Sequence, residues 1–281
     1  VPALATFYLR RQISETPRFA LMVQGNEEAA SKAVEQAMQN GGARGGNGKK
    51  AAAKRPRQSW SKLLFRPRFL RWLIGTAGAW FLLDIAYYGT TISSPMVLRT
   101  LNPRSELVTD MLYTLGIFVV AALPGYIVAA FTIDRLGRKW IQCVGFGMMT
   151  LAYGLLAVFP QLTTITLPFL LVYSGAYFFT EFGPNVTTFV YPAEIFPVMV
   201  RSTAHGITAA LGKIGAFAGA FAFPYLLTNF GLAAAMGVSA VISLAGLVLT
   251  ALTLPEPARR SLEEISGDHK IISDMQQAEA Y

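Results

Sequence analysis

The chain has 281 residues, 53% hydrophobic against 14% charged, with a net charge of +8 and a mean hydropathy of +0.42. That balance excludes a water-soluble globule and a disordered chain, because runs without any charge, such as 111 to 133 and 231 to 254, need apolar surroundings. The positive charge is local, with 14 Lys/Arg and 4 Asp/Glu in residues 1 to 72 against 10 and 12 in the rest, so it does not describe a nucleic-acid surface.

In chain order, residues 1 to 24 read as the end of an earlier helix, Val1 to Tyr8, stopped by Arg10 and Arg11 and followed by a cytoplasmic segment, so the sequence is expected to continue a longer protein. Residues 25 to 68 form a basic central loop with one weakly helical stretch at 27 to 39. Its GGARGGNGKKAAAKRPR segment at 41 to 57 fails as a phosphate-cradling loop, since Ala43 stands where the first glycine belongs and Lys50 where Ser or Thr belongs. Its Lys and Arg suit a solvated loop that sets topology, and attraction to anionic lipid would add about 1 kcal/mol per basic residue near the surface. Six mostly apolar runs of spanning length follow, at 69 to 92, 111 to 133, 140 to 159, 163 to 191, 204 to 228 and 231 to 254. Together, 69 to 254 make an all-α membrane domain, and 255 to 281 a polar tail.

Basic residues gather on the cytoplasmic side of short loops. With residues 1 to 68 inside, 21 of the 24 Lys/Arg fall on the inner side, Arg99 and Arg104 fall outside, and Lys213 alone lies within a span. Both ends of the chain are therefore expected to be cytoplasmic.

Ionisable residues deep in a span cost about 2.5 to 3.5 kcal/mol each on insertion scales, which marks Asp84, Glu181 and Lys213 as functional candidates expected to meet in a polar cavity. Trp80, Asp84 and Tyr88 recur at i, i+4 and i+8 and share one helix face. Glu181 and Asn185 repeat the i, i+4 relation around Gly183-Pro184, a pair that should break the helix at mid-membrane depth. Gly215 and Gly219, in the span that carries Lys213, have the small-xxx-small spacing of close helix packing. The inner loops hold a second set, Asp134, Arg135 and Arg138 within DRLGRK at 134 to 139, together with Glu194 and Arg201. These read either as solvated turn charges or as a network that closes the inner side. The histidines, His205 and His269, have no nucleophile or metal-ligand partner at useful spacing, and the single cysteine, Cys143, excludes a disulfide within this chain, so an enzyme, a metal site or a bound cofactor is not expected.

DRLGRK resembles the loop motif of the major facilitator superfamily, in its second copy between helices 8 and 9 of twelve, with Ala130 where that motif often has Gly. SETPRF at 14 to 19 and PEPARRSLEEI at 255 to 265 are similar, in diverged form, to the sugar-porter motifs after helices 6 and 12. GPNVTTFVYPAEIFP at 183 to 197, followed by RSTAHGITAALGKIGAF at 201 to 217, resembles the phosphate:proton symporter family. The resemblance implies a C-terminal six-helix bundle, helices 7 to 12, working with an N-terminal half of the same carrier in a lipid bilayer, the plasma membrane being expected. It implies inorganic phosphate and protons as partners, with no nucleic acid. It also implies Trp80, Asp84, Tyr88, Asn185 and Lys213 at the phosphate site and Asp84 in proton coupling; members of the family often have Asn where this chain has Glu181, a departure that makes Glu181 an extra acid expected to share in proton coupling, while Asp134, Arg135, Arg138, Glu194 and Arg201 are expected at a cytoplasmic gate. A carrier for another solute, such as a sugar or organic ion, a non-transporting phosphate sensor and an inactive fragment stand as alternatives.

Overall fold

The computed structural model describes residues 60 to 267 together with Glu28, Ser31 and Lys32. The SETPRF motif, the basic segment at 41 to 57 and the tail after Gly267 lie outside the described residues.

Among the described residues every regular element is helical. A short helix α1 (Trp60–Leu64) leads into α2 (Pro67–Ile92), then α3 (Ser94–Leu101) and α4 (Leu107–Ile117). A π-helical turn, Phe118–Ala122, joins α4 to α5 (Leu123–Leu136) without breaking the run. Pro124 explains the turn, because it has no N–H for the preceding turn and its ring crowds the carbonyl four residues back; a wider turn absorbs both. The chain continues through α6 (Arg138–Val158), a 3-10 turn (Pro160–Thr163), α7 (Thr166–Phe182), α8 (Pro184–Ile195), α9 (Arg201–Thr253) and α10 (Leu262–Ser266). Proline sits in the first two positions of α2, α3, α5 and α8, where its fixed φ suits a helix start and its missing N–H would be unpaired in any case.

Among the described residues, four runs are long and apolar enough to cross a membrane: Pro67–Ile92, Leu107–Leu136, Arg138–Val158 and Arg201–Thr253. The last has 53 residues, and a straight helix of that length would extend about 80 Å against a hydrocarbon core of about 30 Å. It is not straight, because Gly231 leaves the helical region at φ 82° and ψ 175°. Glycine contacts show what the break does. Along α2, Gly75 abuts Thr253 and Gly78 abuts Leu249, an antiparallel relation, whereas Phe81 backs onto Gly215, Ile85 onto Gly219 and Gly89 onto Phe223, a parallel one. The two limbs of α9 therefore run in opposite directions, and α2 packs on both. These limbs correspond to the fifth and sixth expected spans. The fourth expected span is α7 plus α8, interrupted at Gly183, whose φ of −104° and ψ of −108° are non-helical.

The small-residue spacing acts in packing, as expected. A Cβ on Gly219 would lie 2.8 Å from Ile85 Cα, and one on Gly215 would lie 3.0 Å from Phe81 Cα, so only glycine lets these backbones approach. Large side chains such as Val120, Phe131, Phe217 and Phe221 face outward, as expected of a surface that meets lipid or another apolar domain rather than water.

Both ends of the described chain meet at one end of the bundle. Leu64, Phe69 and Trp72 pack with Tyr191, Phe196, Val200, Leu254 and Ile265. Arg68 donates to the Ile265 carbonyl at 2.6 Å, and Arg71 donates to that of Leu252. The opposite end buries Val97, Leu98, Phe169, Tyr173, Leu227 and Ala235 in a separate core.

Candidate functional site

The α2 stripe is real, and its three members have different surroundings. Trp80 is fully buried, 4.4 Å from the Phe189 ring and edge-on to His205 at 5.8 Å. Gly212 makes room for it: a Cβ there would fall 2.5 Å from the indole Cδ1. One turn on, Asp84 is buried, and its Oδ2 accepts from Lys213 Nζ at 3.3 Å. Another turn on, the Tyr88 hydroxyl accepts from the same amine at 3.3 Å, and the ammonium lies 4.9 Å from the Tyr88 ring centroid. The Lys213 side chain is 59% exposed while that of Asp84 is 3% exposed, so the carboxylate is recessed and the cation stands at the mouth.

Glu181 does not join this pair, contrary to the expectation of one cavity holding all three charges. It is completely buried, and Asn185 donates to its Oε2 across the break at Gly183. The same amide donates to the Tyr126 hydroxyl at 2.6 Å, and Tyr87 flanks the carboxyl from α2. Tyr87 and Tyr88 meet edge to face at 5.4 Å, so the two groups are neighbours joined by phenols rather than by a salt bridge. Tyr126 was not foreseen. It carries no charge, and its separation of 59 residues from Asn185 leaves no periodic signal.

The break between Glu181 and Asn185 follows from local sequence. Pro184 cannot donate, and Gly183 fits where a larger residue would not, since its added Cβ would lie 2.6 Å from Gly145 Cα. Below the break, Thr187 donates to Gln142 Oε1 at 2.7 Å and Gln142 donates to Thr250 at 2.7 Å, a buried polar clamp across α8, α6 and α9.

The second constellation lies at the end of the bundle where α1 and α10 meet. Arg138 grips Glu194 through two parallel bonds of 2.9 and 2.7 Å and also pairs with Asp134 at 2.8 Å. Arg135 and Arg201 play other parts: the Arg135 carbonyl accepts from Arg259 at 3.3 Å, and Arg201 Nε donates to the Phe196 carbonyl at 2.9 Å, fastening the turn before α9. Glu256 was absent from the expected set. Its carboxylate accepts from the backbone N–H of Arg138 at 2.9 Å and of Lys139 at 2.8 Å, capping α6 from 118 residues away. Gly137, at φ 94° and ψ 151°, makes that approach possible. A cavity of about 240 Å³ opens beside this network, lined in part by Asp134, Arg138, Glu194, Arg259 and Arg260. Among the described residues, no cluster of three His, Cys, Asp or Glu could hold a metal ion.

Comparison with known proteins places this geometry. The family described as "Sugar (and other) transporter" matches residues 1–268. The chain belongs to that family. Its fold is that of the major facilitator superfamily: the proton:xylose symporter XylE bound to 6-bromo-6-deoxy-D-glucose superposes with a TM-score of 0.70 at 22% identity, over 95% of this chain and 56% of that one. The probable inorganic phosphate transporter 1-6 of Arabidopsis thaliana is 39% identical over 95% of this chain and 54% of its own length. The inorganic phosphate transporter PHO84 of Saccharomyces cerevisiae is 35% identical over 95% of this chain and 51% of its own. The chain thus spans about half the length of the curated relatives it matches. With this family and these apolar helices, it is a multi-pass integral membrane protein.

Proposed function

We propose that the chain is the C-terminal six-helix half of a secondary active carrier that takes up inorganic phosphate together with protons by alternating access. The observation that carries this reading is the Lys213 amine held between the Asp84 carboxylate and the Tyr88 phenol at an exposed edge of the bundle. It is supported by the phosphate transport named for the relatives of 35 to 39% identity.

Lys213 supplies attraction for an anion, while Tyr88 and the Trp80 indole, and Asn185 once it releases Tyr126 or Glu181, supply neutral donors that orient it without trapping it. Asp84 already neutralises Lys213 across 3.3 Å, so an arriving phosphate competes with a carboxylate for one cation. Protonation of Asp84 removes that competition and turns an acceptor into a donor toward phosphate oxygen. Proton and phosphate then enter together, and the carbonyl oxygen left on protonated Asp84 accepts from a phosphate hydroxyl, which a fully deprotonated oxyanion such as sulfate does not offer. Lys213, Tyr88 and Phe189 face the space where an N-terminal half would close the site.

The Arg138 network is the cytoplasmic gate of this reading, with Asp134, Arg138 and Glu194 as its latch and Glu256 as its anchor. In this reading both ends of the segment are cytoplasmic and the membrane is the plasma membrane, with the 25 to 68 loop linking the halves, a topology supported by the Lys and Arg of the loops on that side.

The test is uptake of labelled phosphate by the full-length carrier in proteoliposomes under an imposed proton gradient, with sulfate and xylose as competitors. Accumulation that needs the gradient and resists both competitors is the expected result. Gradient-driven xylose uptake without phosphate uptake would replace phosphate with a sugar, and phosphate binding without flux would make the protein a sensor.

A further inference from the structure

Glu181 presents a problem that the Asp84–Lys213 pair does not solve. Its side chain is fully buried, its Oε1 has no hydrogen-bond partner, and no Lys or Arg lies within 4 Å of it among the described residues. The groups set beside it are neutral: Tyr87 from α2, Tyr126 from α5, Tyr153 from α6 and Asn185 from α8. The nearest cation, Lys213, is committed to Asp84. An ionised carboxyl in such a place is costly, whereas a protonated one is an ordinary hydrogen-bonding group.

From Glu181 a string of buried hydroxyls leads away from the Arg138 end. Tyr177, one turn before Glu181, lies 3.3 Å from the Tyr173 hydroxyl, and Tyr153 lies 3.4 Å from Thr90 Oγ1 while also flanking Glu181. Next along the chain come the buried Thr91 Oγ1, beside the Tyr177 hydroxyl, and Ser93 Oγ just after α2, the kind of groups that hold ordered water. Ser94 then meets Thr114 at 3.4 Å, one turn after Asp110 at the start of α4. Core packing alone does not call for these oxygens, because Phe, Val and Ala would fill the same volumes without a desolvation cost.

We propose that Glu181 is a second proton-binding carboxyl, distinct from Asp84, loaded through the buried hydroxyls of Tyr177, Tyr153, Thr90 and Tyr173 from the end of the bundle opposite Arg138. Each hydroxyl takes a proton from behind as it releases its own ahead, so one proton reaches the Glu181 carboxyl and no bond to carbon changes. Substrate need not enter this path, which lies among α2, α6 and α7, whereas Lys213 and Tyr88 stand at the exposed edge. The proposal deepens the phosphate-carrier reading, and its first test does not depend on that reading.

That test is infrared difference spectroscopy of the full-length carrier in lipid, stepping pH. A carboxylic C=O band that vanishes in Glu181→Gln, persists in Asp84→Asn and shifts in Glu181→Asp supports the proposal. A band unaffected by Glu181→Gln overturns it, whether or not the protein moves phosphate. The second test measures protons entering per phosphate in proteoliposomes. Glu181→Gln should lose about one proton per phosphate, and Tyr177→Phe should slow proton entry severalfold, with a larger solvent deuterium effect than wild type. An unchanged ratio in Glu181→Gln overturns the coupling role, while absence of phosphate flux in wild type overturns the phosphate reading instead.

Discussion

Replacing Gly137 by alanine tests whether a single backbone position anchors the network around Arg138. Gly137 lies at φ 94° and ψ 151°, a region essentially reserved for glycine, where any other residue costs about 1 to 3 kcal/mol. The new methyl carbon would also lie 2.5 Å from Glu256 Oε2 and 2.7 Å from its Cδ, so the carboxylate must retreat from the two N–H groups it caps. Losing one charge-assisted bond of this kind adds about 1.5 to 3 kcal/mol, giving an expected total of about 3 to 6 kcal/mol. The assay is thermal unfolding in detergent, with Gly147→Ala as the control in the same helix, where the added atom meets only Leu247 Cδ2 at 3.9 Å and alanine should be neutral or stabilising by up to about 1 kcal/mol. Glu256→Gln should fall between them, because it keeps an acceptor but loses the charge. Equal melting temperatures for the Gly137 and Gly147 variants would refute the assigned role of Glu256 and the strain argument together.

Asp84→Asn should abolish proton-driven phosphate accumulation while phosphate exchange persists, measured as counterflow in proteoliposomes; accumulation at the wild-type level would remove Asp84 from coupling. Lys213→Ala should weaken phosphate binding at least tenfold, about 1.4 kcal/mol or more, with Lys213→Arg recovering part of it in a binding assay. Glu194→Gln removes the charge that Arg138 grips through two bonds and should raise the labelling rate of cysteines placed on the cytoplasmic side of the site, the sign of an inner gate that opens more often. Gly219→Leu should prevent α2 from closing on α9 and abolish folding or insertion, seen as loss of a monodisperse peak, because its Cβ alone would lie 2.8 Å from Ile85 Cα.

Within this chain, legibility follows the range of the interaction. Trp80, Asp84 and Tyr88 could be read as one face because helical periodicity is local, and the interruption near Glu181 could be read because Gly183-Pro184 acts on its own backbone. The basic residues of the inner loops could be read as one set because each stands next to a span end, and Arg68, Arg71, Arg138 and Arg259 lie at the same end of the bundle. Glu256 escaped notice even though its motif was legible, because nothing in PEPARR says which helix start it will cap. Tyr126 escaped for a similar reason, being one phenol among exposed aromatics until the fold brings it to Asn185.

Sequence alone determined the membrane environment, the approximate places of the spans and the three residues within them that cannot be there for packing. Hydropathy, charge and the dihedral limits of glycine and proline act over a few residues, so they survive in a linear text. The tertiary structure decided that Lys213 neutralises Asp84 rather than Glu181, that Glu181 is left among phenols, and that α9 doubles back at Gly231 with both limbs against α2. Those outcomes depend on the phase and tilt of helices packed against one another. A shift of one residue in that phase turns a side chain through about 100° and changes its partner.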